Sequence, residues 1–265
     1  MENTKEEEPI KKQKEDVDAA TTDRSGFAGF IEWFLRRFRL VAFFIGMVPM
    51  YLMCLLAMSI AATPGIMLFH FLLELLEDPP ILLYYGVFAS GLVLGFFIYG
   101  ITMLFVAPLF NLILPLKLKP FRGGYYSLPT IPWYFHNALI YVVRYTFLEF
   151  VTPTPLNIMF YKFMGMKIGK GCHINTTNIS DACLIELEDK VTIGGSAHII
   201  AHYASHGYLI VDRVKIKKGA SVGLKASIMG DVEIGEGAII GPHEVILPKS
   251  RIAPGRKAFD REDEG

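Results

Sequence analysis

The sequence predicts a membrane-spanning α-helical hairpin followed by an all-β solenoid of short parallel strands. Three observations carry that expectation: two long uncharged apolar runs, an aliphatic residue recurring every six positions near the carboxyl end, and a glycine or other small residue beside most of those aliphatics. A helix repeats at 3.6 residues and a strand at 2, so neither alone keeps a period of six. Six is even and suits very short strands joined by regular turns, each strand turning its aliphatic inward. A fixed period of this kind marks an array of stacked units.

Residues 1–25 are rich in Lys, Glu and Asp and nearly devoid of large apolars. Such a segment cannot offset its ordering entropy, and a disordered tail is expected. Residues 26–120 form the expected membrane region. "LVAFFIGMVPMYLMCLLAMSIAA" (40–62) and "ILLYYGVFASGLVLGFFIYGITMLFVAPLFNLIL" (81–114) carry no charge. About 20 apolar residues cross the hydrocarbon core, so each run is long enough. Pro108 is expected to end the spanning part of the second run. "FHFLLELLED" reads as an amphipathic turn in the connecting loop.

Arg36, Arg37 and Arg39 precede the first run, and Lys117, Lys119 and Arg122 follow the second. The connection holds Glu74, Glu77 and Asp78 but no Lys or Arg. The positive-inside rule then puts both termini and the solenoid in the cytoplasm, with membrane lipids as neighbours. Residues 121–160 mix Trp133, Tyr and Phe with Arg144 and Glu149, a composition for an interfacial amphipathic helix. The stretch Trp133–Phe150 is expected to lie along the cytoplasmic surface or re-enter shallowly, ended by Pro153 and Pro155. Lys and Arg total 26 and so do Asp and Glu, a balance that speaks against a nucleic-acid partner. Cys54, Cys172 and Cys183 show no CxxC spacing and no even disulfide set, which fits a reducing compartment.

Residues 161–254 form the expected solenoid, with 255–265 as a tail. Ile216, Val222, Ile228, Ile234, Ile240, Ile246 and Ile252 hold one frame. Ile168 and Ile174 start it, and Ile179, Ile185, Val191, Ala197 and Tyr203 continue it after a slip of one residue. Tyr203 to Ile216 spans two repeats plus one residue, with Ile210 between. Three hexapeptides make one triangular coil, so residues 168–252 hold four to five coils whose inner aliphatics stack as ladders. "GEGAIIG" belongs to this rhythm and is not a dinucleotide loop.

The repeat "IGKG … IGGS … VGLK … IGEG … IGPH" resembles the hexapeptide-repeat acyltransferases, and the resemblance implies a left-handed parallel β-helix. "GGYYSLPTIPWYFHNALIYVV" with "TPTPLNIMFYKFMGMKIGKGCHINTTNISDACLIELEDKVTIGGSAHIIAH" is similar to the membrane-linked carboxyl-terminal domain of ε-poly-lysine synthetase and related nonribosomal-peptide-synthetase-like proteins. That likeness covers roughly residues 80–250. The closing "SRIAPGRKAFDREDEG" departs from the family, lacking its usual tryptophan-and-glycine segment.

The resemblance implies transfer of an acyl group, acetyl above all, from acyl-CoA to a hydroxyl or amine. The acceptor is expected to be membrane-borne or a small molecule, and the assembly a homotrimer, with a dimer as the alternative. Transfer needs a base for the acceptor's proton and donors for the oxyanion. Histidine suits the base near neutral pH. His202 matches the family's "AH" position and sits where the repeat frame slips. His206, on the following loop, is the second candidate, to orient substrate or to serve instead. The bland alternative for His202 is a loop hydrogen bond, and for His173 and His243 a structural corner. Acetyl-CoA phosphates call for cations and backbone amides, and Gly223, Lys225, Gly241, Lys249 and Arg251 line the late coils. Each of those lysines has solubilisation as its plain alternative.

Three other functions stay open on the residues. His198, His202 and His206 are four apart, a spacing that raises a zinc-dependent β-helix enzyme of carbonic-anhydrase type, although such enzymes spread their ligands over neighbouring coils and two subunits. No metal is expected on the acyltransferase reading. An aminoacyl or peptidyl transferase fed by a carrier-protein thioester follows from the synthetase resemblance. A non-catalytic oligomerisation scaffold is the third.

Overall fold

The computed structural model describes residues 22, 24–76 and 78–257. The expected tails at 1–25 and 255–265 fall largely outside those residues. The chain begins with α1 (Gly26–Arg37), α2 (Arg39–Glu74) and α3 (Ile81–Ile113). α2 has 36 residues and α3 has 33, with mean hydropathies of 2.3 and 2.2 over their most apolar stretches. Both are long and apolar enough to cross a membrane. Of those stretches, 28% and 33% is buried within the protein.

One helix runs on past a proline, and one sequence expectation changes. α3 continues through Pro108 to Ile113, and Pro108 is itself buried. "FHFLLE" is the last part of α2 and not a turn of the loop. Helical propagation wins in both places. At about 1.5 Å per residue α2 is roughly 54 Å long, well beyond a hydrocarbon core of about 30 Å. The two helices cross where each lacks a side chain. A Cβ on Gly65 would stand 2.8 Å from the Gly95 carbonyl oxygen, so small residues allow the backbones to meet.

β1 (Phe121–Gly124) leads into α4 (Thr130–Thr146), a short 3-10 turn (Leu148–Val151) and α5 (Pro155–Phe163). The region does not lie alone along a surface, because it plugs the open end of the solenoid. Leu139, Ile140, Val143, Phe147, Phe160 and Tyr161 are all buried. Polar ties fix the plug to the first coil. Asn157 Nδ2 donates to the Ile174 carbonyl at 2.9 Å and Tyr161 Oη to that of Thr177 at 3.2 Å. Arg144 donates to Asn178, and Thr177 to Glu149. Phe147 in turn sits over Gly100, where a Cβ would strike its ring, so the same segment grips α3.

The solenoid follows as coils of three strands. The first coil is β2 (Lys167–Ile168), β3 (His173–Ile174) and β4 (Ile179–Ser180). The second is β5 (Ile185–Leu187), β6 (Thr192–Ile193) and β7 (His198–Ile200). β8 (His202–Ser205) and β9 (Tyr208–Val211) then leave the coil as a hairpin. The third coil is β10 (Val214–Ile216), β11 (Ser221–Val222) and β12 (Ser227–Ile228). The fourth is β13 (Val232–Ile234), β14 (Ile239–Ile240) and β15 (Val245–Ile246), and β16 (Arg251–Ile252) opens a fifth. Equivalent strands form three parallel sheets, ordered β16-β13-β10-β5-β2, β14-β11-β6-β3 and β15-β12-β7-β4.

The ladder Ile252–Ile234–Ile216–Leu187–Ile168 corrects the expected frame of the second coil. Leu187, Ile193 and Ile199 hold the ladder positions there. Ile185, Val191 and Ala197 hold a second inward position two residues earlier, and Ile185 stacks on Val214 and Val232. Both sets repeat every six residues and both are buried, so period alone does not tell them apart. Tyr203 lies outside the coil, in the hairpin.

The last coil is closed by charge. Glu244 occupies a buried position two residues before a ladder isoleucine, where earlier coils have Ala197 and Ala226. It accepts from Gly241 N at 2.8 Å and from Arg256 at 2.6 Å. The Arg256 carbonyl accepts from Ile239 N at 2.7 Å. Interior ladders remain the main source of stability. Ile228 is fully buried between Ile199 and Ile246. Ile228→Ala should cost about 2–5 kcal/mol, read as a lower denaturation midpoint in detergent, because stacked coils on both sides limit collapse of the cavity.

Candidate active site

The second coil is interrupted between β7 and β10, and there the chain leaves as the β8–β9 hairpin. Its two-residue turn, His206–Gly207, has φ of 50° and 80°, the left-handed pair that a tight hairpin turn requires. β1 adds to β9 antiparallel, pairing Phe121 with Val211 and Gly124 with Tyr208. The segment after α3 is thereby stitched to the hairpin. His202 is the first residue of β8, just after Ala201, which is buried at the corner of the coil.

One coil earlier, the strand spacing also departs from six. Ile179 and Leu187 are eight residues apart, and a 3-10 turn (Ala182–Leu184) fills the excess. Its first flanking residue, Asp181, is left-handed (φ 57°) and wholly buried. Asp181 Oδ2 lies 2.5 Å from His202 Nδ1 and accepts from Ala201 N at 3.1 Å. Asp181 Oδ1 accepts from Asn137 Nδ2 at 2.7 Å, and Asn137 Oδ1 accepts from Asp181 N at 2.9 Å. A buried carboxylate is tolerated where donors surround it, and this one has three. A carboxylate at Nδ1 fixes the proton there. The lone pair of neutral His202 is then on Nε2.

Asn137 comes from α4, and so does Trp133, whose ring meets the His202 imidazole edge-on with 5.1 Å between centroids. His202 lines a cleft with Trp133, Tyr125, Tyr203, Met229 and Pro248. The cleft therefore draws on the helical region, the hairpin and the later coils at once. Sequence reasoning named His202 but missed Asp181, Asn137 and Trp133. The period gave no signal for Asp181, because Ile179 and Ile185 keep the six-residue spacing across it.

The other expected residues are dispersed. His206 is exposed at the hairpin tip, its Nδ1 2.8 Å from Ser205 Oγ. His198 points outward from β7. No three His, Cys, Asp or Glu side chains converge as metal ligands among the described residues. Gly223, Lys225 and Gly241 lie at the corner after the second sheet. Gly223 is needed there for stacking, since a Cβ would come 2.6 Å from the Pro242 nitrogen. Lys249 lies at the next corner, which also supplies Met229 and Pro248 to the His202 cleft, and Arg251 begins β16 just after it. The Arg251 guanidinium is bound by the Asp231 side chain at 2.6 Å.

Two neighbouring groups have shifted titration. Burial, with help from the Asp181 charge, pushes the Cys183 thiol up to about 12, so it supplies no thiolate nucleophile at neutral pH. Burial pulls His136 on α4 down to about 4, where its Nδ1 meets Asn111 Oδ1 at 2.9 Å. The unfolded chain would bind that proton from about pH 6.5 downward while the folded protein does not. Stability should therefore fall as pH drops from about 6.5 to about 4. Denaturant titration across that range should show the slope, and His136→Gln should flatten it.

The chain matches no family model and no curated protein. Among solved structures it is similar to a hexapeptide-repeat-containing acetyltransferase from Vibrio cholerae, at 21% identity and TM-score 0.32, over 34% of this chain and 55% of that one. It is similar to a maltose O-acetyltransferase from Clostridium difficile 630, at 17% identity and TM-score 0.39, over 53% and 88%. It is also similar to serine acetyltransferase from Neisseria gonorrhoeae, at 16% and 0.34, over 59% and 49%. The matched part spans about half the length of the first and third of these.

Proposed function

We propose that the protein is a membrane-anchored acyltransferase that moves an acyl group, acetyl in the first instance, from a CoA thioester to a hydroxyl or amine. The observation that carries this reading is the buried Asp181 carboxylate holding His202 Nδ1 at 2.5 Å in a cleft beside a parallel β-helix. The left-handed coil and the CoA donor come from the resemblance of the repeat sequence. His202 Nε2 takes the acceptor's proton as the acceptor oxygen or nitrogen attacks the thioester carbonyl carbon. Backbone amides at the coil corner hold the oxyanion. As the carbon–sulfur bond breaks, the imidazolium returns its proton to the CoA sulfur. Asp181 stabilises the charged ring throughout, and Asn137 keeps Asp181 in place. Lys249 and Arg251 are the phosphate-binding candidates nearest this corner. Gly223, Lys225 and Gly241 serve the donor only if it extends to the neighbouring corner. His206 at the hairpin tip orients substrate.

Detergent-purified protein incubated with acetyl-CoA and amine or hydroxyl acceptors should release CoA and yield acetylated product. Product formed only from a carrier-protein thioester would favour the aminoacyl variant. A homotrimer sharing clefts between coils is the expected assembly. The mostly unburied apolar stretches of α2 and α3 support a membrane hairpin, and the Lys and Arg residues that flank it support a solenoid in the cytoplasm. A tag inserted at position 77 should be reachable from outside intact cells, and one at position 265 should not. The reverse pattern would invert the topology.

A further inference from the structure

A second cavity, about 270 Å³, lies between α1, the first turns of α2 and the start of α4. Phe34, Phe43, Met47, Met50, Ile131 and Phe135 are among the side chains that line it, and none of its lining residues is charged. Its polar groups are Thr130 and the three phenols Tyr125, Tyr126 and Tyr134. Tyr125 also lines the His202 cleft. Trp133 completes the partition, with its ring 4.9 Å from that of Tyr134 and 5.1 Å from that of His202. An apolar chamber and a basic nitrogen thus share one aromatic wall. If α2 crosses the membrane, the stretch Phe43–Met50 lies in the first turns of the span, level with the leaflet next to the solenoid.

We infer that this chamber holds one alkyl chain of a membrane lipid whose hydroxyl- or amine-bearing head group is the acceptor at His202. The inference rests on the acyltransferase reading for the reaction, but the chamber itself does not. A chain of methylenes suits walls that carry no charged side chain, and the phenols meet the polar head where the chain ends. Each methylene buried contributes about fourfold in affinity, so a chain of several outweighs a weakly held head group. Gly46 lines the chamber, and a Cβ added there meets nothing within 4 Å. Gly46→Phe can therefore fill the chamber without a backbone clash.

The test uses the full chain in nanodiscs of phosphatidylethanolamine and phosphatidylglycerol. They are doped with a phosphatidylethanolamine carrying a diazirine in its acyl chain. After irradiation, adducts mapped by mass spectrometry should fall on Ile131, Tyr134 and Phe135 of α4, as well as on the outward faces of α2 and α3. Gly46→Phe should lower the α4 adducts at least tenfold and leave those at Leu55 and Leu94 unchanged. Helical circular dichroism and a monodisperse elution profile check that the variant is folded, and Met47→Phe provides a second filled variant. Adducts confined to the outward faces, or α4 labelling unchanged in both folded variants, would overturn the inference. Protection of α4 by palmitoyl-CoA but not by added unlabelled lipid would also overturn it, giving the chamber to the donor's chain. Acetyl-CoA turnover is assayed separately. α4 labelling without any turnover would sink the acyltransferase reading and leave the lipid chamber standing.

Discussion

His202→Ala should lower kcat for acyl transfer by about 10²–10⁴-fold, the range for losing a general base. In the proposed mechanism Nε2 acts on the acceptor's proton in the transition state, so the loss should fall on kcat, with CoA affinity retained. Folding should change little, because the ring is partly exposed at the mouth of the cleft, with a side-chain accessibility of 21%. The variant does leave one buried oxygen of Asp181 short of a donor, but Ala201 N still serves it. His206→Ala should cost much less, since that ring is exposed at the hairpin tip. Full activity in the His202 variant would remove the mechanism.

Asp181→Asn should cost about 10²–10⁴-fold as well, although it keeps volume and shape. Every neighbour of the carboxylate donates to it: Asn137 Nδ2, Ala201 N and His202 Nδ1. An amide brings two donors of its own. Turned toward His202, it forces the proton onto Nε2 and abolishes the base. Turned toward Asn137, it sets donor against donor and leaves the imidazolium without its counter-charge. An unmade buried bond of this kind also costs about 1–3 kcal/mol of stability. The double variant with His202→Ala should lose no more activity than His202→Ala alone, because the two groups act as one unit. Multiplying losses would place Asp181 outside the dyad.

Much of the fold was legible because each coil repeats the same demand. Ile216 to Ile252 kept one frame over seven positions, and the sheets align those residues. The second coil was misread for a physical reason. Two inward positions per hexapeptide were both filled by large aliphatics at Ile185 and Leu187, and only pairing with Val214 and Ile216 separates them. His202 was singled out by the frame slip together with the resemblance of its "AH" position. Asp181 was not chosen, because Ile179 and Ile185 hold the six-residue spacing across it and an acidic residue in a loop has no periodic signature. Asn137 and Trp133 reach the site from a helix 44 and 69 residues earlier in the chain than the residues they touch. No local pattern encodes a contact of that span. The apolar runs gave the helices, but their ends were set by propagation through Pro49, Pro64 and Pro108.

The helical plug under the first coil bears on how such a chain can be taken apart. A solenoid is usually treated as a cassette, free to be cut out and grafted elsewhere. Here the clamp on Asp181 and the aromatic roof over His202 both belong to α4, and β1 is woven into the hairpin that begins with His202. A graft of residues 161–254 would carry His202 and Asp181 but neither their support nor the lid of the first coil. The smallest portable unit therefore starts at β1, and any recombination that moves this chemistry to a new carrier must bring both parts across together.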